Sequence, residues 1–433
     1  MEKDIHIFWF RRDLRLDDNA GLFAALSAGL PVLPVFIFDT HILSRLVRRE
    51  DNRVAFIRQE VEAISRGLQK RGFSLFVYHG TPAEAFLTLT GSYRIKGVYC
   101  NRDYEPYATA RDTEVEGLLR SRGIMFHTFC DHLIFEPGEV MKEDGTPYTV
   151  YTPFSKRWKR LLTAGRLERF PSEGLMDRFL KTEAFRIPTL EELGFSGSAE
   201  WAPSRKIPSG ILRNYGAVRD FPGVAGTSRL GVHLRFGTVS IRKVAAMALT
   251  ESEVFLGELI WRDFFASILA HFPYVAEGPF KKRYGFIAWR NKEEEFERWC
   301  QGETGYPLVD AGMRELRTTG FMHNRVRMVT ASFLSKHQLV DWRWGEAWFA
   351  SWLLDFDLAS NNGNWQWAAG CGCDAAPYFR VFNPETQRVK FDPDGVYVRK
   401  WVPEAGSLSY AKSLVDHAFA RQRALETYRK ALE

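Results

Sequence analysis

The segment "NNGNWQW" places two tryptophans, Trp365 and Trp367, on either side of one glutamine and close behind Asn361. On an α-helix, residues two positions apart point about 200° away from each other. The two indoles therefore cannot both serve one packing face. We expect one to line a pocket for a planar ligand or to carry an electron, and the other to face an opening.

A second group of chemically capable side chains lies in "GELIWRDFF". Glu258, Trp261 and Arg262 are spaced at i, i+3 and i+4, which puts a carboxyl, an indole and a guanidinium on one helix face. An ordinary surface stripe, in which Glu258 and Arg262 support each other, explains the same spacing equally well.

The segment "HNRVRM" carries a third group. Asn324, Arg327 and Met328 share a helix face, so an amide, a cation and a thioether point the same way. This set suits a pocket that hydrogen-bonds the edge of a base and packs against its ring. A first helical turn with solvated arginines is the alternative. His323 has no partner at metal-ligand spacing, and we interpret it as structural or as a hydrogen-bond donor.

Acidic and hydroxyl side chains add candidates for cation and phosphate binding. Asp355 and Asp357 form a D-x-D pair, but nothing nearby completes the set of about six oxygen ligands that a divalent metal needs. We therefore predict no metal site, and expect one carboxylate to pair with an arginine while another accepts from a heterocyclic N–H. In "GTSRLG", Thr227, Ser228 and the backbone amides suit phosphate oxygens near a helix start.

The first 130 residues alternate short apolar runs with amphipathic helical segments. Five runs are typical of buried strands: "IHIFWF", "PVLPVFIF", "SLFVYHG", "GVYCNRD" and "IMFHTFC". This alternation predicts an α/β domain with a doubly wound, parallel five-stranded sheet, which binds ligands beyond the carboxyl ends of its strands. The segment lacks G-x-G-x-x-G, so the pattern gives no dinucleotide fingerprint.

The rest of the chain changes character twice. Residues 131–205 are rich in proline and polar stretches, which predicts a long interdomain connector with a short helix around "PFSKRWKRLL". Successive helical patterns then predict an all-α domain over residues 206–433. With the boundaries 1–130, 131–205 and 206–433, every group described above falls in the helical domain.

Composition excludes several classes of protein. The five cysteines are scattered and match neither a disulfide framework nor zinc spacing. The N-terminus is unlike a secretory signal, and charges interrupt the most apolar helical stretch within membrane-spanning length. We therefore expect a cytoplasmic protein that does not contact a membrane. A net charge of +6 fits a polyanionic partner and equally a solvated basic surface.

Taken together and in this order, these segments resemble the photolyase and cryptochrome family, most closely the bacterial class I cyclobutane pyrimidine dimer photolyases. The resemblance runs from about residue 4 to about residue 403. It is carried by "FWFRRDLRLDDN", "NRDYEPYATARD", "GTSRL", "GELIWRDFF", "TGYPLVDAGMRELRTTGFMHNRVRMV", "DWRWGE", "DLASNNGNWQW" and "DAAPYFRVFNP".

The resemblance implies a light-driven carbon–carbon lyase. The N-terminal domain would hold an antenna chromophore, and the helical domain would bind FAD in a U-shaped conformation. The partner would be DNA containing pyrimidine dimers: excited FADH⁻ would give an electron to a dimer flipped out of the duplex, and the electron would return after the cyclobutane ring opens. We expect the protein to act as a monomer.

The same resemblance assigns roles to individual residues. The implied FAD phosphate contacts are Tyr215, Thr227, Ser228, Arg229 and Leu230. The residues implied to border the flavin ring are Arg327, Asp355, Asp357 and, beside its N5, Asn361. The implied dimer pocket comprises Glu258, Trp261, Asn324, Met328 and Trp367. The implied electron-transfer chain runs outward from the flavin through Trp365, Trp342 and Trp289.

Two positions depart from the family pattern, because Gly231 stands where serine is frequent and Phe356 where glycine is common. The basic run Lys281, Lys282 and Arg283 is a candidate for contacts with DNA phosphates, which would make binding salt-sensitive. The antenna chromophore is left open between methenyltetrahydrofolate, to which Glu105 would offer a carboxylate, and a deazaflavin. Flavin mononucleotide and the absence of any antenna are further alternatives.

Related proteins with other functions provide the competing hypotheses. A DASH-type cryptochrome usually has W-Q-Y where this chain has "WQW", and a signalling cryptochrome, a blue-light photoreceptor, normally carries a C-terminal extension. A (6-4) photolyase uses a histidine as proton donor, a pattern that His323 alone does not reproduce. We therefore expect repair of cyclobutane dimers in duplex DNA.

Overall fold

The computed structural model of this protein describes residues 4–208 and 210–433. The chain forms two compact units. Unit 1 is built from Met1–Val140, Trp158–Lys206 and Leu230–Thr250, and unit 2 from Met141–Arg157, Ile207–Arg229 and Glu251–Glu433.

A parallel sheet forms the centre of unit 1. Its strands are β1 (Asp4–Phe10), β2 (Val32–Asp39), β3 (Phe76–Gly80), β4 (Arg94–Asn101) and β5 (Met125–Phe129). The strand order is β3-β2-β1-β4-β5 and every neighbouring pair is parallel. All eight residues of β2 are buried, as expected of a strand with both faces covered. The predicted five-stranded parallel sheet is confirmed.

Helices make up most of the remaining structure. In chain order they are α1 (Ala20–Ser27), α2 (Thr40–Leu43), α3 (Asn52–Gln69), α4 (Pro82–Ser92), α5 (Pro106–Arg120), α6 (Tyr151–Leu161), α7 (Ile211–Val218), α8 (Gly231–Arg235), α9 (Ile241–Glu251), α10 (Glu253–His271), α11 (Glu293–Gln301), α12 (Pro307–Thr319), α13 (Asn324–Ser332), α14 (Trp342–Trp352), α15 (Leu358–Ala369), α16 (Pro384–Phe391), α17 (Val396–Trp401) and α18 (His417–Leu432). A π-helical turn, Phe333–Gln338, follows α13. The predicted helical character of the second half is confirmed.

The compact units divide the chain differently from the predicted boundaries. Helices α8 and most of α9 belong to unit 1, and the predicted connector is shared between the units. Arg242 of α9 explains why: its guanidinium lies 3.0 Å from Asp18 and 2.7 Å from Asp131, and all three side chains are buried. Separating these buried partners would leave an uncompensated charge, which is strongly destabilising. The ion pairs therefore tie α9 to unit 1.

The core of unit 2 lies among α11, α12, α13, α14 and α15. Its fully buried side chains include Trp299, Leu316, Val326 and Phe333. This core fixes α13 and α15, which carry many of the candidate site residues. Within the described residues, none of the helices is long and apolar enough to span a membrane.

Candidate functional site

A cavity in unit 2 gathers predicted site residues from α13, α15 and the turn between α14 and α15. About 520 Å³ of space free of protein atoms lies within it, part of which is open to solvent. Seven of its lining residues were predicted from sequence: Asn324, Arg327, Met328, Asp355, Asp357, Asn361 and Trp365. Phe349, Leu353 and Phe356 add apolar surface to the lining. The cavity therefore combines a few convergent polar groups with aromatic surface, which is typical of a site for a planar cofactor.

The two aspartates of the D-x-D pair have separate partners. Arg327 donates from one guanidinium nitrogen to both carboxylate oxygens of Asp355, at 3.1 and 2.9 Å, and from Nε to the carbonyl of Met322 at 2.7 Å. Asp357 instead caps α15, accepting from the N–H of Ser360 at 3.0 Å. One carboxylate thus pairs with an arginine, as predicted, and the other stabilises the start of the helix that carries Asn361 and Trp365.

Asn361 is held by Glu346, a residue that was not among the candidates predicted from sequence. The Asn361 amide nitrogen donates to the Glu346 carboxyl at 2.7 Å and to the Glu346 carbonyl at 3.2 Å. Burial raises the pKa of Glu346, and the hydrogen bond from Asn361 opposes that effect. The signal was present in the sequence, since Glu346 ends the segment "DWRWGE", but only the fold shows that it faces Asn361.

Trp365 and Trp367 have different surroundings, as their helical spacing predicts. Trp365 is 2% exposed, and its ring lies 4.9 Å from Phe349 and 6.1 Å from Trp299. Trp367 is half-buried, with Phe382 at 6.4 Å. Gly345 makes room for the inner indole, because a Cβ there would lie 2.1 Å from the Trp365 ring.

The glutamine between the two tryptophans is a structural anchor. The Gln366 amide nitrogen donates to the carbonyls of Val275 at 3.0 Å and Gly278 at 3.1 Å, and to the Asn362 side chain at 2.9 Å. Its amide oxygen accepts from the N–H of Phe280 at 2.8 Å. Gln366 therefore fixes residues 275–280 against α15, next to the basic run that begins at Lys281.

A second cluster in unit 2 surrounds the predicted pair Glu258 and Trp261, which do not line the cavity. Glu258 is ion-paired with Arg219, which follows α7, and the Arg219 guanidinium also lies 5.5 Å from the Tyr215 ring centre. The Trp261 ring stacks on Tyr151, with centroids 3.6 Å apart and planes 2° from parallel. Neither Arg219 nor Tyr151 was predicted, because both are distant in sequence from the motif they support.

The predicted phosphate contacts occupy several segments. Tyr215 is buried in α7, while Thr227 and Ser228 are partly exposed in the turn before α8. Arg229 has a left-handed backbone conformation, with φ 52°, and its guanidinium lies over the Phe321 ring at 4.2 Å. Leu230, which is buried, begins the last segment of unit 1, whereas the other four belong to unit 2.

The predicted electron-transfer tryptophans all belong to, or pack against, the core of unit 2. Trp342 and Trp365 are buried members of that core, and Trp289 is partly buried against it. The Trp289 ring lies 5.9 Å from Tyr428 in α18, nearly perpendicular to it. Their order of electron transfer remains a prediction.

His323 is structural, in agreement with one of its two sequence interpretations. Its ring Nδ1 accepts from the N–H of Arg325 at 3.2 Å and so caps α13. Burial lowers the pKa of His323 to about 4, with nearby Arg327 adding to the effect. The ring is therefore neutral near pH 7, and it holds the helix that presents Asn324 and Met328.

A separate cavity of unit 1 lies at the carboxyl ends of the strands, where a parallel sheet is expected to bind ligands. About 820 Å³ of space free of protein atoms lies within it, part of which is open to solvent. The Glu105 carboxylate at its edge lies 2.9 Å from both Arg12 and Arg235, and Tyr107 donates to Asp39 at 2.6 Å. Aromatic and aliphatic side chains such as Phe38 supply much of the remaining wall.

Comparisons with known proteins identify the family of this chain. Residues 6–173 match a family model described as DNA photolyase, and residues 255–411 match one described as the FAD binding domain of DNA photolyase. A deoxyribodipyrimidine photo-lyase of Halobacterium salinarum is 38% identical, with 99% of each chain aligned.

Solved structures show the same similarity. A bacterial class III photolyase from Agrobacterium tumefaciens has a TM-score of 0.89 at 34% identity, covering 100% of this chain and 98% of that one. An archaeal photolyase from Sulfolobus tokodaii with two FAD molecules has a TM-score of 0.80 at 32% identity, covering 99% of this chain and 100% of that one. On identity and coverage, this chain belongs to the photolyase and cryptochrome family.

Proposed function

We propose that this protein is a deoxyribodipyrimidine photo-lyase that uses light and reduced FAD, FADH⁻, to split cyclobutane pyrimidine dimers in DNA. One observation supports this most strongly. Helix α15 presents Asn361 and Trp365 to the unit 2 cavity, while Trp367, two residues later, lies in different surroundings. A single rigid element thus joins a cofactor pocket to an aromatic side chain available for a base.

The side chains that line the unit 2 cavity support its assignment to the flavin ring of FAD. Arg327 and Asp355 offer a fixed pair of opposite charges, Asp357 offers a carboxylate, and Asn361 offers an amide already oriented by Glu346. Phe349 and Phe356 supply apolar surface for the ring. When bound, reduced FAD supplies the electron that opens the cyclobutane ring. The phosphates of the cofactor are assigned to Tyr215, Thr227, Ser228, Arg229 and Leu230.

The substrate is assigned to the side chains on α10, α13 and α15. Trp261 and Trp367 pack against the two pyrimidine rings, with stacking worth roughly 1–3 kcal/mol per base. Glu258 and Asn324 hydrogen-bond the base edges, and Met328 fills the space between rings. Because these groups cannot reach a dimer inside a duplex, the dimer must be flipped out.

Contacts with the DNA backbone are assigned to an exposed run of basic residues. Lys281, Lys282 and Arg283 are all exposed and directly follow the segment that Gln366 fixes against α15. Contacts from such residues to phosphates release counterions, so affinity should fall as salt rises. We expect the enzyme to act as a monomer in the cytoplasm.

The path of the electrons that reduce the cofactor is assigned to Trp365, Trp342 and Trp289. Trp342 and Trp365 are buried in one aromatic core and Trp289 is partly buried against it, which supports a short path with Trp289 as its outermost member. An antenna chromophore, methenyltetrahydrofolate or a deazaflavin, is assigned to unit 1. The strand-end cavity favours a flat, largely apolar chromophore, since Glu105 is already engaged by Arg12 and Arg235.

The test is repair by chemically reduced holoenzyme. Duplex DNA with one thymine dimer is illuminated with blue light after the FADH⁻ absorption spectrum has been verified, and the remaining dimer is quantified by chromatography. We expect loss of the dimer in light and none in the dark. No loss in light would refute the proposal and favour a cryptochrome-type photoreceptor.

A further inference from the structure

Tyr151 contacts Trp261 more closely than any other described ring does. The two rings are parallel within 2° and 3.6 Å apart, a distance at which no base can enter between them. One face of the Trp261 indole is therefore covered by the protein itself. A base that packs on Trp261 must use the opposite face or the edge of the indole. The Phe265 ring also lies near this indole, 5.3 Å away and tilted by 28°.

Two hydrogen bonds hold Tyr151 in place. Its hydroxyl donates to the carbonyl of Gly257 at 2.9 Å, one residue before Glu258. Its backbone N–H donates to the Asp374 carboxylate at 3.0 Å. The ring also meets Phe264 edge-on at 5.9 Å. With the stack, these contacts restrict both the position and the tilt of the tyrosine.

These contacts join α6, α10 and the segment that follows α15. Asp374 lies in that segment, eight residues before Phe382, whose ring centre is 6.4 Å from that of Trp367. Tyr151 thus touches the helix that carries Trp261 and is bonded to the segment that packs beside Trp367. Tyr151 therefore connects the two aromatic walls assigned to the dimer, through its ring on the Trp261 side and through its backbone N–H on the other.

We propose that Tyr151 is a positioning residue for substrate recognition: by clamping the Trp261 indole, it sets the aromatic wall against which one ring of the pyrimidine dimer packs. This inference rests on the proposed function. It concerns damaged DNA only, because undamaged duplex does not bring a flipped base to this wall. The hydroxyl mainly aligns the ring, so phenylalanine should preserve most of the effect.

The first experiment observes the stack without any DNA. The protein is labelled with 5-fluorotryptophan, and the Trp261 resonance is assigned by its loss in Trp261→Phe. We expect Tyr151→Leu to shift or broaden that ¹⁹F resonance, Tyr151→Phe to leave it nearly unchanged, and the matched control Tyr148→Leu to have no effect. An unchanged Trp261 resonance in Tyr151→Leu would overturn the proposal.

The second experiment measures binding of dimer-containing and undamaged duplexes to the holoenzyme. We expect Tyr151→Leu to weaken the affinity for dimer-containing duplex by about three- to tenfold, which corresponds to the energy of one aromatic pair. The affinity for undamaged duplex should not change. In the double mutant with Trp261→Ala, Tyr151→Leu should cause little further loss of dimer affinity. In the double mutant with Trp367→Ala, it should cause the same loss as it does alone. Full additivity with Trp261→Ala would overturn the inference. If the wild type shows no preference for dimer DNA, the proposed function fails, while the ¹⁹F result still decides whether Tyr151 holds Trp261.

Discussion

The two sides of α15 are built in different ways. On the inner side, Asn361 is bonded to Glu346, and Trp365 fills a space that exists because residue 345 has no side chain. On the outer side, Trp367 is half-buried and its ring neighbour is 6.4 Å away. The same helix therefore holds one indole in a tightly packed site and leaves the other partly open.

This difference corresponds to two physical requirements. A residue that passes an electron to a cofactor needs a fixed distance and orientation, which dense packing provides. A residue that packs against an incoming base needs free surface and gains affinity by burying it. We infer that the inner side of α15 serves the cofactor and the outer side serves the substrate, and the following variants test that division.

The largest difference is expected between Trp365→Phe and Trp367→Ala. Trp365→Phe should abolish light-driven reduction of oxidised FAD but leave repair by chemically reduced enzyme intact, because phenylalanine keeps much of the packing and cannot pass the electron. Trp367→Ala should weaken dimer binding by roughly 1–3 kcal/mol and spare photoreduction. Photoreduction kinetics and dimer-binding titrations measure the two effects. Equal phenotypes would remove the distinction between the two sides.

A smaller effect is expected from adding one methyl group on each side of the helix. A Cβ at Gly345 would lie 2.1 Å from Trp365, and one at Gly363 would lie 2.2 Å from Phe265, the neighbour of Trp261. Each alanine variant should destabilise the protein by about 1–3 kcal/mol through overpacking. Gly345→Ala should also impair photoreduction, whereas Gly363→Ala should impair dimer binding.

Thermal unfolding, photoreduction rates and dimer affinity measure these outcomes. Gly117→Ala is the control, because a Cβ at that helical position would meet no described atom within 4 Å apart from its chain neighbours and the nearby backbone of its own helix. It should be neutral or stabilising, by up to about 1 kcal/mol, from improved helix propensity. If Gly345→Ala and Gly363→Ala changed the same activity, the two sides of α15 would be mechanically coupled and not separate.

Local patterns in the sequence predicted the parts of the site that depend on one element. Helical spacing separated Trp365 from Trp367, and strand alternation predicted the parallel sheet. The partners that hold the site were not predictable in this way. Glu346 is 15 residues from Asn361, Arg219 is 39 from Glu258, and Tyr151 is 106 from Gly257. Such contacts depend on tertiary packing, and the periodicity of a single helix does not indicate which distant residues will meet.

The predicted domain boundaries differ from those of the compact units for the same reason. Helix α9 has a helical pattern like those of unit 2, but it belongs to unit 1 because Arg242 pairs with Asp18 and Asp131. Composition alone does not show which charged side chains will meet. Proline-rich stretches between residues 131 and 205 likewise predicted a connector, although most of them are part of unit 1.

The smallest expected effect concerns pH and the inner side of α15 alone. Because burial raises the pKa of Glu346 above its ordinary value of 4.5, the folded protein binds this proton more tightly than the unfolded chain. Stability from this group is thus fully present below pH 4.5 and is lost as pH rises through the higher folded pKa. A tenfold difference in proton affinity between the folded and unfolded states corresponds to about 1.4 kcal/mol.

Glu346→Gln tests this directly, because glutamine still accepts from Asn361 but does not ionise. The free energy of unfolding of the variant should rise relative to wild type between pH 4.5 and the folded pKa, then stay constant above it. Denaturant titrations from pH 4.5 to 8 measure the difference. Trp367→Ala, on the outer side, should leave this pH dependence unchanged. A pH-independent difference for Glu346→Gln would mean that Glu346 does not hold its proton beside Asn361, and that the inner side of α15 is as open to water as the outer side.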